Sequence, residues 1–293
     1  MNRAFALIGA LLLASITVSS ACMAGANGEL SFFLDGNRDN EGKINARFDN
    51  ERGAHDRTDW TGGFLPSDMI GLDIAGFRGS GTRPLRFALV RDPGRLDCSG
   101  NGGSGYARGT CRFTPDPSFV QFMADHGMAR PSEGQALGLM ALNVKRELID
   151  AVASAGYPAP KIDDLTSLAA LGVDGGYIRG MARAGYRPRS LQTLVELKAM
   201  SITPDWIAGF VRAGYGNLPS NDLIQLKALS ITPDFISGFD RIGYRNIPVE
   251  TLVQLKALGI TPDFARSAVG QSAPLPPVQK LVDLKLFGPT GRP

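Results

Sequence analysis

An internal register of 29 residues constrains this chain more than any other feature of it. Thr203-Pro204-Asp205-Trp206 recurs as Thr232-Pro233-Asp234-Phe235 and as Thr261-Pro262-Asp263-Phe264. The same offset joins Gly185-Tyr186, Gly214-Tyr215 and Gly243-Tyr244, then Leu194, Leu223, Leu252 and Leu281, and also Lys198, Lys227, Lys256 and Lys285. Stepping backward, Trp206 maps onto Tyr177, Leu148 and Phe119, and Gly185-Tyr186 onto Gly156-Tyr157 and Gly127-Met128. Six units therefore fit between about Pro115 and Gly288, the outer two being the most divergent, as terminal repeats tend to be.

Each unit reads as two helices. Thr232 is an N-cap and Pro233 suits the first helical position, where its missing N–H has no intrahelical partner. Asp234 favours the positive end of the helix dipole. The helix runs through Phe235, Ile236 and Phe239 and stops at Gly243, with Tyr244 folding back on its last turn. Pro248 opens a second helix with one face of Leu252, Leu255 and Leu258, ended by Gly259, and Ile260 leads into the next unit. Gly180, Gly209 and Gly238 recur mid-helix, where glycine costs ~1 kcal/mol relative to alanine. Close approach between neighbouring units is the expected reason. One such pair cannot bury its leucine face alone, so residues 115–288 are expected to stack as an α-solenoid roughly 50–60 Å long.

Residues 27–114 differ. This stretch is rich in glycine and arginine, has Lys43 as its lysine, and alternates apolar with polar positions in the period of a strand. Candidate strands are Glu29 to Leu34, Lys43 to Phe48, Met69 to Ala75, Leu85 to Arg91, Arg95 to Cys98 and Tyr106 to Phe113, predicting an antiparallel sandwich or barrel and an α+β chain of two domains. Ser99 to Gly105 reads as a flexible hairpin loop that sets Cys98 near Cys111. A disulfide there would contribute ~3 kcal/mol, mostly by restricting the unfolded chain. Residues 289–293 are a short tail.

Residues 1–26 read as a secretory signal: Asn2-Arg3, a 15-residue apolar run from Ala4 to Val18, then small residues permitting cleavage after Ala24 or Ala26. The run is shorter than the ~20 residues of a membrane span. Its removal leaves Cys98 and Cys111 as an even pair in an oxidising periplasmic or secreted setting. The alternative is a lipoprotein anchored through Cys22, since Ser19-Ser20-Ala21-Cys22 resembles a lipobox with serine in place of leucine.

Formal charge is +3, too small to argue a nucleic-acid partner from charge alone. Two histidines and three cysteines supply no ordinary zinc ligand set. Gly100, Gly102 and Gly105 satisfy GxGxxG only formally, because a hairpin and not a strand–helix turn is expected around them, so no cofactor is expected. His55-Asp56 with Asp59 could perform acid–base chemistry, but the polar-loop reading is favoured because no activated nucleophile accompanies them. His126 occupies a position that later units fill with Ala155, Ala184, Ala213 and Ile242.

Candidate partner-binding residues therefore come from the repeats. Tyr157, Tyr186, Tyr215 and Tyr244 form either a binding stripe or a set of helix-cap contacts, the second being favoured. Lys198, Lys227, Lys256 and Lys285, with Arg183, Arg212 and Arg241 nearby, either meet an acidic partner or a peptidoglycan or lipid phosphate, or are solvated or paired with Asp205, Asp234 and Asp263, the last being favoured by the near-neutral total charge.

The segment Leu252-Val253-Gln254-Leu255-Lys256-Ala257-Leu258-Gly259-Ile260-Thr261-Pro262-Asp263-Phe264 resembles tandem two-helix repeats of bacterial envelope proteins, similar to those on the tails of some membrane metallopeptidases of the β-lactam sensor type. The resemblance implies an exported helical repeat protein. It carries no peptidase activity, since HExxH is absent. The same stretch resembles the first half of a helix-hairpin-helix nucleic-acid motif, but Thr261-Pro262 stands where a second glycine and a free N–H are needed. The favoured expectation is an exported, non-enzymatic scaffold for a protein or peptide. The alternative is a hydrolase or carbohydrate-binding enzyme seated in the β domain, and a nucleic-acid binder is a minor one.

Overall fold

The computed structural model describes residues 29–37, 41–50, 58–269 and 275–288. The expected signal, Cys22, His55 and the tail lie outside these residues. Six strands, β1 (Glu29–Asp35), β2 (Ile44–Asn50), β3 (Thr58–Phe64), β4 (Arg83–Arg91), β5 (Gly94–Gly103) and β6 (Tyr106–Pro115), form one antiparallel sheet in the order β3-β2-β1-β6-β5-β4.

Period-2 alternation gives this sheet one buried face. Leu30, Phe32 and Leu34 of β1, Ile44, Ala46 and Phe48 of β2 and Leu85, Phe87 and Leu89 of β4 all join one core. The sheet is strongly curled. Phe32 and Phe87 meet edge to face at 5.1 Å although their strands stand three places apart, where flat strands ~4.8 Å apart would leave ~14 Å between them. The curl is not completed by hydrogen bonds, since β3 and β4 are the two edges. The expected sandwich or barrel is thus a single open sheet. A helix fills the space a second sheet would take: α3 (Glu133–Ala141) sends Ala136, Leu137 and Met140 into the sheet core. Arg91 spans the remaining gap, its guanidinium 5.3 Å from the centre of the Phe64 ring and donating to the carbonyls of Met140 and Ala141 at 2.7 and 2.9 Å. It thereby caps the C-terminal end of α3.

Three local expectations change. Met69 to Ala75 is not a strand: Ile70 makes an isolated bridge to Ala88, and α1 (Ile74–Arg78) begins behind the Asp73 cap. Thr58–Phe64 is a strand, with Trp60 stacked on Phe48 at 4.7 Å. The glycine tract is not a loop, since β5 runs to Gly103 and turns tightly through Ser104 and Gly105, both at positive φ. Its glycines are needed because other backbone crosses there: a Cβ on Gly103 would collide with the carbonyl oxygen of Gly81, and the amides of Ser104 and Gly105 donate to Gly79 and Phe77 at 2.7 and 2.8 Å. Cys98 and Cys111 face each other on β5 and β6 and form the disulfide, with Cα atoms 4.0 Å apart.

The remaining helices are α2 (Pro117–Asp125), α4 (Arg146–Ser154), α5 (Ile162–Ala170), α6 (Gly175–Arg183), α7 (Leu191–Ala199), α8 (Pro204–Arg212), α9 (Ser220–Ala228), α10 (Pro233–Asp240), α11 (Val249–Ala257), α12 (Pro262–Val269) and α13 (Val278–Phe287). Two rows result. First helices touch the next first helix, as in α4 with α6 and α6 with α8, while second helices touch the next second helix, as in α5 with α7 and α7 with α9. Thr203, Thr232 and Thr261 each accept the amide of the aromatic residue three places on at 3.2 Å, which fixes where the first helices start. Leu194, Leu197, Leu252, Leu255 and Leu281 are fully buried, as are Ile202, Ile231 and Ile260 between units.

The recurrent glycines fit the next unit's proline. A Cβ on Gly180 would stand 2.7 Å from Cγ of Pro204, one on Gly209 would stand 2.8 Å from Cγ of Pro233, and one on Gly238 would collide with Pro262. The proline that opens one first helix is thus seated in the flank of the previous first helix.

Candidate functional site

The turns between first and second helices are built on glycine followed by tyrosine. Gly185, Gly214 and Gly243 take positive φ, and each following tyrosine amide reaches five residues back, as Tyr186 does to Met181 at 3.0 Å. The ring then lies against the next unit. Tyr157 donates its hydroxyl to the carbonyl of Pro188 at 2.8 Å, and Tyr215 to that of Ile247 at 2.7 Å. These two tyrosines tie their own turns to the turn of the following unit. Burial raises the pKa of Tyr157, Tyr186, Tyr215 and Tyr244 above the usual phenol value.

The series has two exceptions. Tyr244 is buried and its hydroxyl has no partner among the described residues. Tyr186 is 9% exposed, yet among the described residues no carbonyl at Asn217 or Leu218 accepts from it, although those positions correspond to the acceptors of Tyr157 and Tyr215. A cavity of about 590 Å³ lies there, between Gly185, Tyr186, Arg187 and Arg189 on one side and Asn217 to Ser220 on the other. A second cavity of about 280 Å³, between Tyr157 and Ile178, shares Ala182, Tyr186, Arg187 and Arg189 with it. The two make one groove across neighbouring units, with the turn Arg187-Pro188-Arg189 as its divider.

Arg187 and Arg189 are exposed, flank the buried Pro188 and pair with no carboxylate among the described residues. Arg179, also on the groove wall, is held by Glu147. The sequence reading missed Arg187 and Arg189 because it followed positions that repeat. Their signal is the doubling: two arginines in a turn that reads Tyr157-Pro158-Ala159-Pro160, Tyr215-Gly216-Asn217-Leu218 or Tyr244-Arg245-Asn246-Ile247 in other units, where the single Arg245 is paired with Asp240.

The lysine row has another structure. Lys198 lies 4.7 Å from the ring centre of Tyr177, Lys227 5.5 Å from Trp206, Lys256 5.1 Å from Phe235 and Lys285 4.9 Å from Phe264. Each ammonium closes its own unit: it sits at the C-terminal end of the second helix, favourable for the dipole, over the aromatic face at the start of the first. None of the four pairs with Asp205, Asp234 or Asp263, and Asp263 instead binds Arg266 at 3.1 Å. Tyr177 also donates its hydroxyl to the carbonyl of Ile202 at 2.8 Å, and burial pushes its pKa up to about 12. Arg183, Arg212 and Arg241 are exposed at the ends of α6, α8 and α10, without ion pairs among the described residues.

His126 is held structurally, Nδ1 lying 2.8 Å from the Phe122 carbonyl and Nε2 3.1 Å from Asp150. Among the described residues no group of three or more histidine, cysteine or acidic side chains is placed to hold a metal ion, and no helix is long and apolar enough to cross a membrane. The outer face of the sheet carries one exposed aromatic pair, Phe33 and Tyr106, stacked at 6.1 Å. Phe33 stands directly across from Arg108 on β6 and Arg47 on β2. No family model matches the chain, and no curated protein is significantly similar to it.

Proposed function

We propose that this is an exported scaffold of the bacterial cell envelope that binds a protein or peptide along an α-solenoid formed by its two-helix units. The observation that carries the reading is the recurrence of two contacts from unit to unit, glycine with the next proline and lysine with its own aromatic ring, joined in two units by tyrosine with the next turn. Contacts that repeat at a fixed offset propagate a surface. A surface built this way is long, grooved and suited to extended partners. Export is supported by the residue pattern of 1–26, by the Cys98–Cys111 disulfide and by the resemblance to envelope repeats.

Photo-crosslinking in intact cells from positions 187 and 217 tests the reading. A discrete crosslinked protein partner is expected, together with a mature N-terminus generated after Ala24 or Ala26, or a lipidated Cys22. Absence of any crosslinked species from either position would count against a scaffold.

A second reading has a specific observation behind it. Exposed Phe33 and Tyr106 form a stacked aromatic platform with Arg108 beside it, a surface on which the C–H face of a sugar ring can rest. Soluble glycan oligomers titrated against the wild type and the Tyr106→Ala variant test carbohydrate binding by the sheet. Saturable binding lost in the variant would favour this reading over the scaffold.

A further inference from the structure

We infer that the groove divided by Arg187-Pro188-Arg189 is a recognition site for the carboxylate side chains of an acidic, extended peptide. The inference rests on the scaffold reading and gives it a partner chemistry. The repeat itself supplies the comparison. Tyr157 and Tyr215 spend their hydroxyls on the next unit's turn. At Tyr186 the corresponding bond is absent among the described residues, and a cavity of about 590 Å³ stands in its place. The Tyr186 hydroxyl opens to this cavity and has no protein acceptor among the described residues, so it is free to donate to water or to a ligand that enters.

Two further observations fix the ligand class. The guanidinium groups of Arg187 and Arg189 are exposed and pair with no carboxylate among the described residues, whereas the lysines of the same units are seated on aromatic rings. Planar guanidinium groups bind carboxylates through two parallel hydrogen bonds. The groove continues past Tyr157 into a second cavity of about 280 Å³ walled by Ala151, Ile178 and Pro188. That continuation exceeds what a small anion fills, and its apolar walls suit a chain rising ~3.3 Å per residue. Alternating contacts, carboxylates on arginine and aliphatic stems on the walls, fit such a chain.

The test uses the mature full chain and fluorescein-labelled octaglutamate, with octaglutamine as the neutral control and anisotropy as the readout. Saturable binding of octaglutamate alone is expected, weakened by salt. The Arg187→Ala/Arg189→Ala variant should bind about tenfold more weakly or worse, and Tyr186→Phe about threefold more weakly. An Arg83→Ala/Arg86→Ala variant, with the same charge removed from exposed positions on β4, should bind as the wild type does. No saturable binding, equal weakening by the two arginine pairs, or displacement of the probe by inorganic phosphate at matched charge would each overturn the inference. A crosslinked protein partner in cells, combined with failure of the octaglutamate titration, would leave the scaffold reading standing and remove carboxylate recognition at this site. Failure of both would remove both.

Discussion

The ammonium of Lys227 lies 5.5 Å above the ring of Trp206, and the pair is reproduced at Tyr177 with Lys198, Phe235 with Lys256 and Phe264 with Lys285. In each case a lysine closes the open end of a helical hairpin. The row is therefore part of the stability of each unit, at ~0.5–1 kcal/mol per partly exposed pair. A double-mutant cycle on Trp206→Leu and Lys227→Met, followed by urea unfolding, should return a coupling energy of about that size. A coupling energy of zero would show the lysine to be merely solvated.

Gly209 and Gly138 should respond to alanine with opposite signs. A Cβ on Gly209 would meet Pro233 at 2.8 Å, whereas a Cβ on Gly138, in α3, has nothing within 4 Å. Gly138→Ala should stabilise by ~0.5–1 kcal/mol through helix propensity. Gly209→Ala should destabilise by ~1–3 kcal/mol because the next unit is pushed away. Thermal unfolding of the two variants measures both.

The tyrosine hydroxyls should separate in the same manner. Tyr215→Phe removes a donor from the Ile247 carbonyl and should cost ~0.5–1.5 kcal/mol, whereas Tyr244→Phe removes a buried hydroxyl with no partner among the described residues and should be neutral or stabilising. Alkali offers a second check. The folded-state pKa of Tyr177 is raised to about 12, so its contribution is intact below the unfolded phenol value of ~10 and is lost as pH rises through the folded value. Unfolding free energy should fall across that window, and Tyr177→Phe should flatten the fall.

Much of the helical architecture was legible because its determinants are local and repeat: threonine caps, prolines at the first helical position, left-handed glycines and buried leucines. The sheet was less so. β3 is hidden in the sequence because Gly62-Gly63 interrupts the apolar alternation around Trp60 and Phe64, and Met69 to Ala75 resembles a strand because Met69, Leu72 and Ile74 mimic its spacing while packing against the sheet core. The curl that replaces a sandwich depends on α3, far along the chain. The lysine–aromatic pairs were hidden because charge suggested carboxylate partners, and ring faces do not announce themselves in a sequence. Arg187 and Arg189 escaped because Arg189 has no counterpart in the other units and Arg187 recurs as Arg245 two units on but not as Gly216 between them.

Two serines occupy the left-handed position that glycine fills in neighbouring units. Ser201 and Ser230 have φ of 54° and 53°, matching Gly172 and Gly259 at 69° and 64°. Left-handed backbone costs an ordinary L-residue ~1–2 kcal/mol, part of which glycine returns as unfolded-state entropy. Ser201→Gly and Ser230→Gly should each stabilise by ~0.5–1 kcal/mol, additively since they lie in different units. Chemical denaturation of the single and double variants checks this.

Small-angle X-ray scattering of residues 27–293, with and without one internal unit, tests the stacking of units most directly. An α-solenoid should give a radius of gyration well above the ~18 Å of a compact chain of about 267 residues. Excision of residues 203–231 should shorten the longest dimension by ~8–10 Å, one packed helix layer, while the remainder stays folded. A radius of gyration near ~18 Å, or a longest dimension unchanged by the excision, would contradict it.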